Sequence, residues 1–203
     1  MNKEISISKG NIKLGNIWNI SLPPIKSCYP NLPCYKKCYA RKAYRAYPST
    51  KKAWDKNYNL FKTAPGRYFQ LIDEFLNNKN PEYFRWFVAG DCPNKNHLLN
   101  IIKLSNKHLN TKFMMFTKRY DLLLNNKENI PSNLSINVSA WNGLTIPNEL
   151  RKKYRIAWFL DPKNPDYRIK KVKNIIHCPG SCKTCKVCWH LSTLKKDVLF
   201  IKH

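Results

Sequence analysis

Several features that would place this 203-residue chain in other classes are missing. No run approaches the roughly 18 apolar residues of a membrane span, so no membrane partner is expected. The opening "MNKEISISKG" lacks the apolar stretch of a secretory leader. The expected compartment is therefore a reducing cytoplasm, where clustered cysteines hold metal more often than they pair. There is no internal repeat, low-complexity tract or evident linker. A hydrophobic content of 43% over this length suits one globular domain spanning residues 1–203 rather than two.

Acidic residues are also scarce. Twelve Asp and Glu stand against 37 Lys and Arg, a formal net charge of +25. Residues 1–60 carry 12 basic and 2 acidic side chains, residues 61–150 carry 11 and 7, and residues 151–203 carry 14 and 3. The excess sits at the two ends of the chain, where the cysteines also lie. A polyanionic partner is expected, RNA or DNA.

Along the chain, strand-like runs alternate with helix-like runs. "GNIWNIS" (15–21) reads as a strand closed by Pro23 and Pro24. Helices follow at "ARKAYRAY", from a cap at Ser49 or Thr50 through Lys62, and after Pro65. "YFRWFVAG" (83–90), "KFMMFTK" (112–118), "LSINVSAW" (134–141) and "RIAWFLD" (155–161) read as strands separated by helical stretches. "KNIIHC" (173–178) reads as a sixth strand, "CKVCWHLSTL" as a final helical turn and "DVLFIKH" as a terminal strand.

This alternation predicts parallel βα units and an α/β fold, a compact partial β/α barrel, with a doubly wound open sheet as the competing architecture. Ligands in such folds bind at the C-terminal ends of the strands. The polar motifs fall at those ends: the first cysteine loop, Gly90–Asp91, Thr117–Lys118, Ser139, Asp161 and the second cysteine loop. Asp91, Lys118 and Ser139 are the candidate catalytic groups. Gly90, Asp91, Ser139 and Asp161 are the candidate cofactor contacts.

Seven of the eight cysteines crowd into two windows. Cys28, Cys34 and Cys38 are spaced C-x5-C-x3-C. Cys178, Cys182, Cys185 and Cys188 are spaced C-x3-C-x2-C-x2-C. Cys92 stands apart and reads as a small buried residue. A C-x2-C-x2-C run puts three thiolates on one tight turn, the habit of a four-iron, four-sulfur cluster with a further cysteine completing it. The first trio leaves one position of such a group open. Zinc is the alternative, with all seven converging. A barrel would bring the first and sixth strands near each other, and the two cysteine loops to one mouth.

The stretch from Cys38 to Lys62 interleaves aromatics with basic residues. Trp54, Tyr58 and Phe61 share one helical face and read as core. Arg41, Lys42 and Arg45 flank the first cysteine loop and are candidate phosphate contacts. Arg151, Lys152, Lys153, Lys170 and Lys171 in two later charge runs complete the candidate nucleic-acid residues.

A cysteine trio after the first strand, Gly-Asp after the second, Thr-Lys after the third and Ser after the fourth resemble the radical S-adenosylmethionine enzymes. That resemblance implies a partial β/α barrel over residues 15 to about 178. Cys28, Cys34 and Cys38 would hold a four-iron cluster whose open iron takes the amino and carboxylate groups of S-adenosylmethionine. Gly90 and Asp91 would approach the methionine amino group and Ser139 the ribose or carboxylate, with the C-terminal quartet as an auxiliary cluster. The trio's spacing departs from the usual C-x3-C-x2-C, and Lys37 stands where an aromatic usually precedes the last cysteine.

A closer resemblance is to a phage family named after gene product eighty-eight. It rests on "NISLPP" (19–24), "CYA" (38–40), Gly90–Asp91, Thr117–Lys118, "NVS" (137–139) and Cys188–Trp189. A phage origin implies the host cytoplasm. It also suits a second functional class, a non-enzymatic, metal-stabilised effector that binds nucleic acid.

Overall fold

Short apolar runs bounded by polar turns become strands, and the amphipathic runs between them become helices. A computed structural model describes residues 4–201. Strand β1 (Ile7–Lys9) pairs antiparallel with β2 (Trp18–Ile20). The first cysteine loop then leads to α1 (Tyr39–Ala46), α2 (Pro48–Thr63) and α3 (Pro65–Lys79). Strands and helices alternate through β3 (Tyr83–Trp86), α4 (Lys95–Lys107), β4 (Lys112–Thr117), α5 (Tyr120–Leu124), β5 (Leu134–Ser139), α6 (Asn148–Lys153) and β6 (Arg155–Leu160). The chain ends with β7 (Ile175–His177), α7 (Cys182–Cys185), α8 (Leu191–Leu194) and β8 (Asp197–Ile201). The last two residues of the terminal strand read at 197–203 lie outside the described residues.

Local chemistry sets the helix ends. Proline opens both α2 and α3, where its missing N–H costs nothing and its φ is already helical. Pro48 therefore starts α2 earlier than a Ser49 or Thr50 cap would. Asn80 closes α3 in the left-handed region at φ 39°. The Asn94 side chain caps α4 by accepting from His97 N at 2.9 Å.

The strands form one eight-stranded sheet in the order β1-β2-β3-β4-β5-β6-β8-β7. All pairs except β1–β2 are parallel, and β1 and β7 remain as edges, so the sheet is not closed. β2 to β6 lie side by side in chain order, without the reversal that defines a doubly wound sheet. Right-handed crossovers in one direction place their helices on one face. The larger core cluster accordingly joins Ile20, Phe84, Trp86, Phe113, Met115, Ile136, Val138, Ile156 and Trp158 to Phe61, Ile72, Leu98, Leu123 and Leu150 of the helices.

Alternate strand residues point the other way. Met114, Ala157 and Val198 form a second cluster with Leu14 and Ile17 of the β1–β2 loop and with Cys188, Trp189 and Leu191. This inner face is thus covered by the cysteine-rich C-terminal segment. The terminal strand takes the place expected for the sixth: β8 lies between β6 and β7. The reason is packing. β8 offers Val198 to the inner cluster and Leu199 to the helix-side core, as an interior strand must. β7 has no buried residue and suits an edge. Among the described residues no helix is long and apolar enough to cross a membrane.

Candidate functional site

The first cysteine group is built by the exit of β2. Leu22, Pro23 and Pro24 are buried, and Ser27 Oγ donates to Pro23 O at 2.8 Å, which folds the chain back on itself. Cys28 follows that turn, Cys34 lies in a 3-10 turn (Pro33–Lys37), and Cys38 immediately precedes α1. All three thiols are free and partly buried. Burial pushes the Cys28 thiol up to about 12, with the Asp91 carboxylate and then Cys38 and Cys34 adding to the rise. Burial also raises Cys34, opposed by Lys118. Arg41 braces the loop by donating to Tyr35 O at 2.9 Å, and Lys37 Nζ reaches Asp161 Oδ2 at 3.3 Å. The loop therefore extends from the end of β2 to the end of β6.

Gly90 has φ +80°, and a Cβ there would stand 2.4 Å from Ser27 Oγ and 2.7 Å from Leu22 O. Only glycine lets the end of β3 lie this close to the cysteine loop. Asp91 next to it is buried, which raises its pKa. Its Oδ1 accepts from Cys92 N at 2.7 Å and Thr117 Oγ1 at 2.6 Å, and its Oδ2 accepts from Lys118 N at 2.8 Å. The carboxylate thus ties the end of β3 to the end of β4. Lys118 Nζ lies 5.6 Å from the Trp141 ring, which stacks on Phe159 at 4.5 Å. Tyr120 donates to Ser139 O at 2.6 Å, so the backbone rather than the hydroxyl of Ser139 is the group engaged. Asp161 is buried, and its Oδ1 accepts from Lys163 N at 3.2 Å. The predicted motifs from Cys28 to Asp161 share one edge of the sheet, the C-terminal edge of its parallel strands.

The second cysteine group does not complete that edge. Cys178 N donates to Leu199 O at 2.8 Å, after which the chain turns across the inner face. Cys182 N and Lys183 N donate to Lys13 O at 2.8 and 3.2 Å, tying the segment after β7 to the β1–β2 loop at the other end of the sheet. Asn137 Nδ2 donates to Cys188 O at 3.1 Å, and Trp189 Nε1 donates to Phe84 O at 3.1 Å. Burial pushes Cys188 up to about 12, with Cys182 and Cys178 adding and Arg85 opposing. Cys182 is raised by burial and eased by Arg85, while Cys178 and Cys185 add to the rise. The backbone thus places Cys28, Cys34 and Cys38 on the loop after β2 and carries the later cysteines across the inner face. β8 separates β7 from β6, and Trp189 and Leu191 draw the segment inward over the apolar inner face.

All eight cysteines are unbridged. Among the described residues no group of three or more His, Cys, Asp or Glu is arranged to hold a metal ion. In kind and number the donors still suit a soft-metal group: three thiols with one position open, and four thiols that close.

The family described as Gene product 88 matches residues 2–191. The chain belongs to the gene product 88 family. No curated protein and no solved structure matches it. The gene product 88 match takes in both cysteine groups and ends at Leu191, the residue that anchors the second group to the inner face.

In this gene product 88 chain the candidate nucleic-acid residues lie in separate places. Arg41 is half-buried and engaged in the cysteine loop, whereas Lys42 and Arg45 are exposed on α1 beside it. Arg151, Lys152 and Lys153 are exposed at the end of α6, which leads into the start of β6 and hence to the opposite edge of the sheet. Lys170 and Lys171 lie in a 3-10 turn (Tyr167–Lys171), with Lys170 and Lys171 both at the solvent side. On α2, Phe61 is buried, while the half-buried Trp54 stacks on Tyr44 at 6.2 Å. Cys92 is buried, as its isolation implied.

Arg85 was not among the candidates. It is a charge at the centre of the strand "YFRW", on the face opposite Phe84 and Trp86. Its signal in the sequence was a cation inside an otherwise apolar run, which period-2 alternation directs to the inner face.

Proposed function

We propose that this chain is an iron–sulfur protein on a partial β/α barrel that uses S-adenosylmethionine to modify a nucleic acid. The observation that supports the reading is that one loop, leaving the C-terminal end of β2 in a sheet of parallel strands set in chain order, carries the free thiols Cys28, Cys34 and Cys38. A single zinc ion draws its ligands to about 2.3 Å from one point. A cubane distributes its thiolates over separate irons, so loosely grouped thiols suit it better. Bound there, a four-iron cluster would supply one-electron chemistry and one iron without a protein ligand.

The protein's own residues position and exclude. Asp91 holds Lys118 against the trio, and Lys118 brings a cation to the neighbourhood of Cys34. Lys37 and Asp161 close the loop over the far strands. The net charge of +25, with Lys42 and Arg45 exposed beside the loop, supports a polyanionic substrate. Protein purified without oxygen should be brown, contain iron and sulfide, and yield 5′-deoxyadenosine from S-adenosylmethionine on reduction. Colourless protein with stoichiometric zinc and no cleavage would overturn the reading.

A second reading is a non-enzymatic, metal-stabilised nucleic-acid-binding protein. It is favoured by the C-x5-C-x3-C spacing and by the full engagement of Asp91 in internal hydrogen bonds. Replacing Cys28 by Ser separates the two. It abolishes S-adenosylmethionine cleavage under the first reading, whereas the second has no cleavage to lose and keeps salt-sensitive nucleic-acid binding.

A further inference from the structure

Arg85 projects from the middle of β3 onto the inner face. Its strand neighbours Phe84 and Trp86 belong to the helix-side core, and Tyr83 packs in the inner cluster. Its guanidinium carbon lies 5.3 Å from the centroid of the Phe116 ring. Its Nε is buried with no hydrogen-bond partner, and no carboxylate pairs with it among the described residues. The Trp189 indole is bonded to the carbonyl of Phe84, one residue away, and Cys188 is held to Asn137 two strands across. The second cysteine segment therefore lies directly over Arg85.

Arg85 is half-buried, and its shielded Nε without a partner calls for a physical reason. The quartet provides one. Four thiolates around a zinc ion or a four-iron cubane leave a net negative site, and a buried net charge needs a counter-charge. Aromatic contact with Phe116 gives the guanidinium a partial substitute while the thiols are protonated.

The structure assigns Arg85 as the positioning cation that balances the charge of Cys178, Cys182, Cys185 and Cys188 when they hold a metal group. This rests on the reading of the quartet as a metal site. It makes Arg85 matter far more to the loaded protein than to the metal-free one.

The test uses the full chain with Cys28, Cys34 and Cys38 replaced by Ser, so that only the quartet can load, and zinc as the probe. Arg85→Gln should leave the thermal midpoint of the metal-free protein nearly unchanged and lower that of the zinc-loaded protein. The same change should weaken zinc binding, measured by chelator competition, by roughly 10- to 100-fold, the usual effect of losing an outer partner of metal ligands. Arg85→Lys should recover most of that affinity. An Arg85→Gln protein with unchanged zinc affinity, or one destabilised equally with and without zinc, would remove this role for Arg85 while the quartet remained a metal site. Failure of the background protein to take up zinc or an iron–sulfur cluster would overturn the metal reading itself.

Discussion

Thr117 Oγ1 donates to Asp91 Oδ1 across 2.6 Å, and this buried hydrogen bond locks the end of β4 to the end of β3. The same carboxylate holds Cys92 N and Lys118 N. Asp91→Ala would strand three donors where water is excluded, at about 1–3 kcal/mol for each unsatisfied group. A loss of several kcal/mol in urea unfolding is expected. Asp91→Asn should be milder, because its amide oxygen replaces one acceptor while its amide hydrogens oppose one donor. An unfolding midpoint unaffected by Asp91→Ala would contradict the bracing role.

Acid should destabilise the protein through His97. Its ring is fully buried among Phe61, Tyr68, Phe69, Trp86 and Phe87, and neither nitrogen has a hydrogen-bond partner among the described residues. Burial alone lowers its pKa to about 3. The unfolded chain takes up a proton near the ordinary histidine value of about 6.5, and the folded chain does not. The contribution to stability is therefore full above about 6.5 and declines as pH falls toward 3, by on the order of 5 kcal/mol in all. His97→Phe should flatten this part of the stability profile between pH 7 and 4.5. Identical pH profiles for the two proteins would refute the assignment.

Much of the fold was legible because its signals are local. The runs around Phe84, Met114, Ile136 and Ile156 alternate or are continuously apolar, and the stretches between them carry helical spacing. Pairing order is a different kind of property. Nothing near Val198 shows that it inserts between two earlier strands, since that depends on which strand takes the open edge of β6. β1 was missed because three residues, two of them exposed, leave almost no pattern. At the site, the residues at the strand ends were found from position alone, but their hydrogen-bond partners were not. Asp91 read as a candidate catalytic and cofactor contact, and the three hydrogen bonds its oxygens accept left no trace in the sequence. The quartet read as part of the strand-end edge because Cys178 directly follows a strand. The apolar Trp189 and Leu191, which carry it onto the inner face, looked like an ordinary terminal turn.

Nucleic-acid binding should be steeply salt-dependent, and the basic residues should not contribute equally. Lys42 and Arg45 lie beside the cysteine loop, whereas Arg151, Lys152 and Lys153 lead to the opposite edge. Lys42→Gln with Arg45→Gln should weaken binding to single-stranded RNA or DNA. It should also lower the slope of log affinity against log salt by roughly 1 for each phosphate no longer neutralised. The triple change at 151–153 should alter the slope less. Equal effects from both sets would point to diffuse attraction instead of an interface at the cysteine loop.

The most direct test is iron and acid-labile sulfide per chain in protein prepared without oxygen, compared between the wild type and a variant with Cys28, Cys34 and Cys38 replaced by Ser. The account predicts that the variant loses about four irons and four sulfides, together with all formation of 5′-deoxyadenosine. Equal iron and sulfide in both proteins, or zinc in place of iron in the wild type, would contradict it.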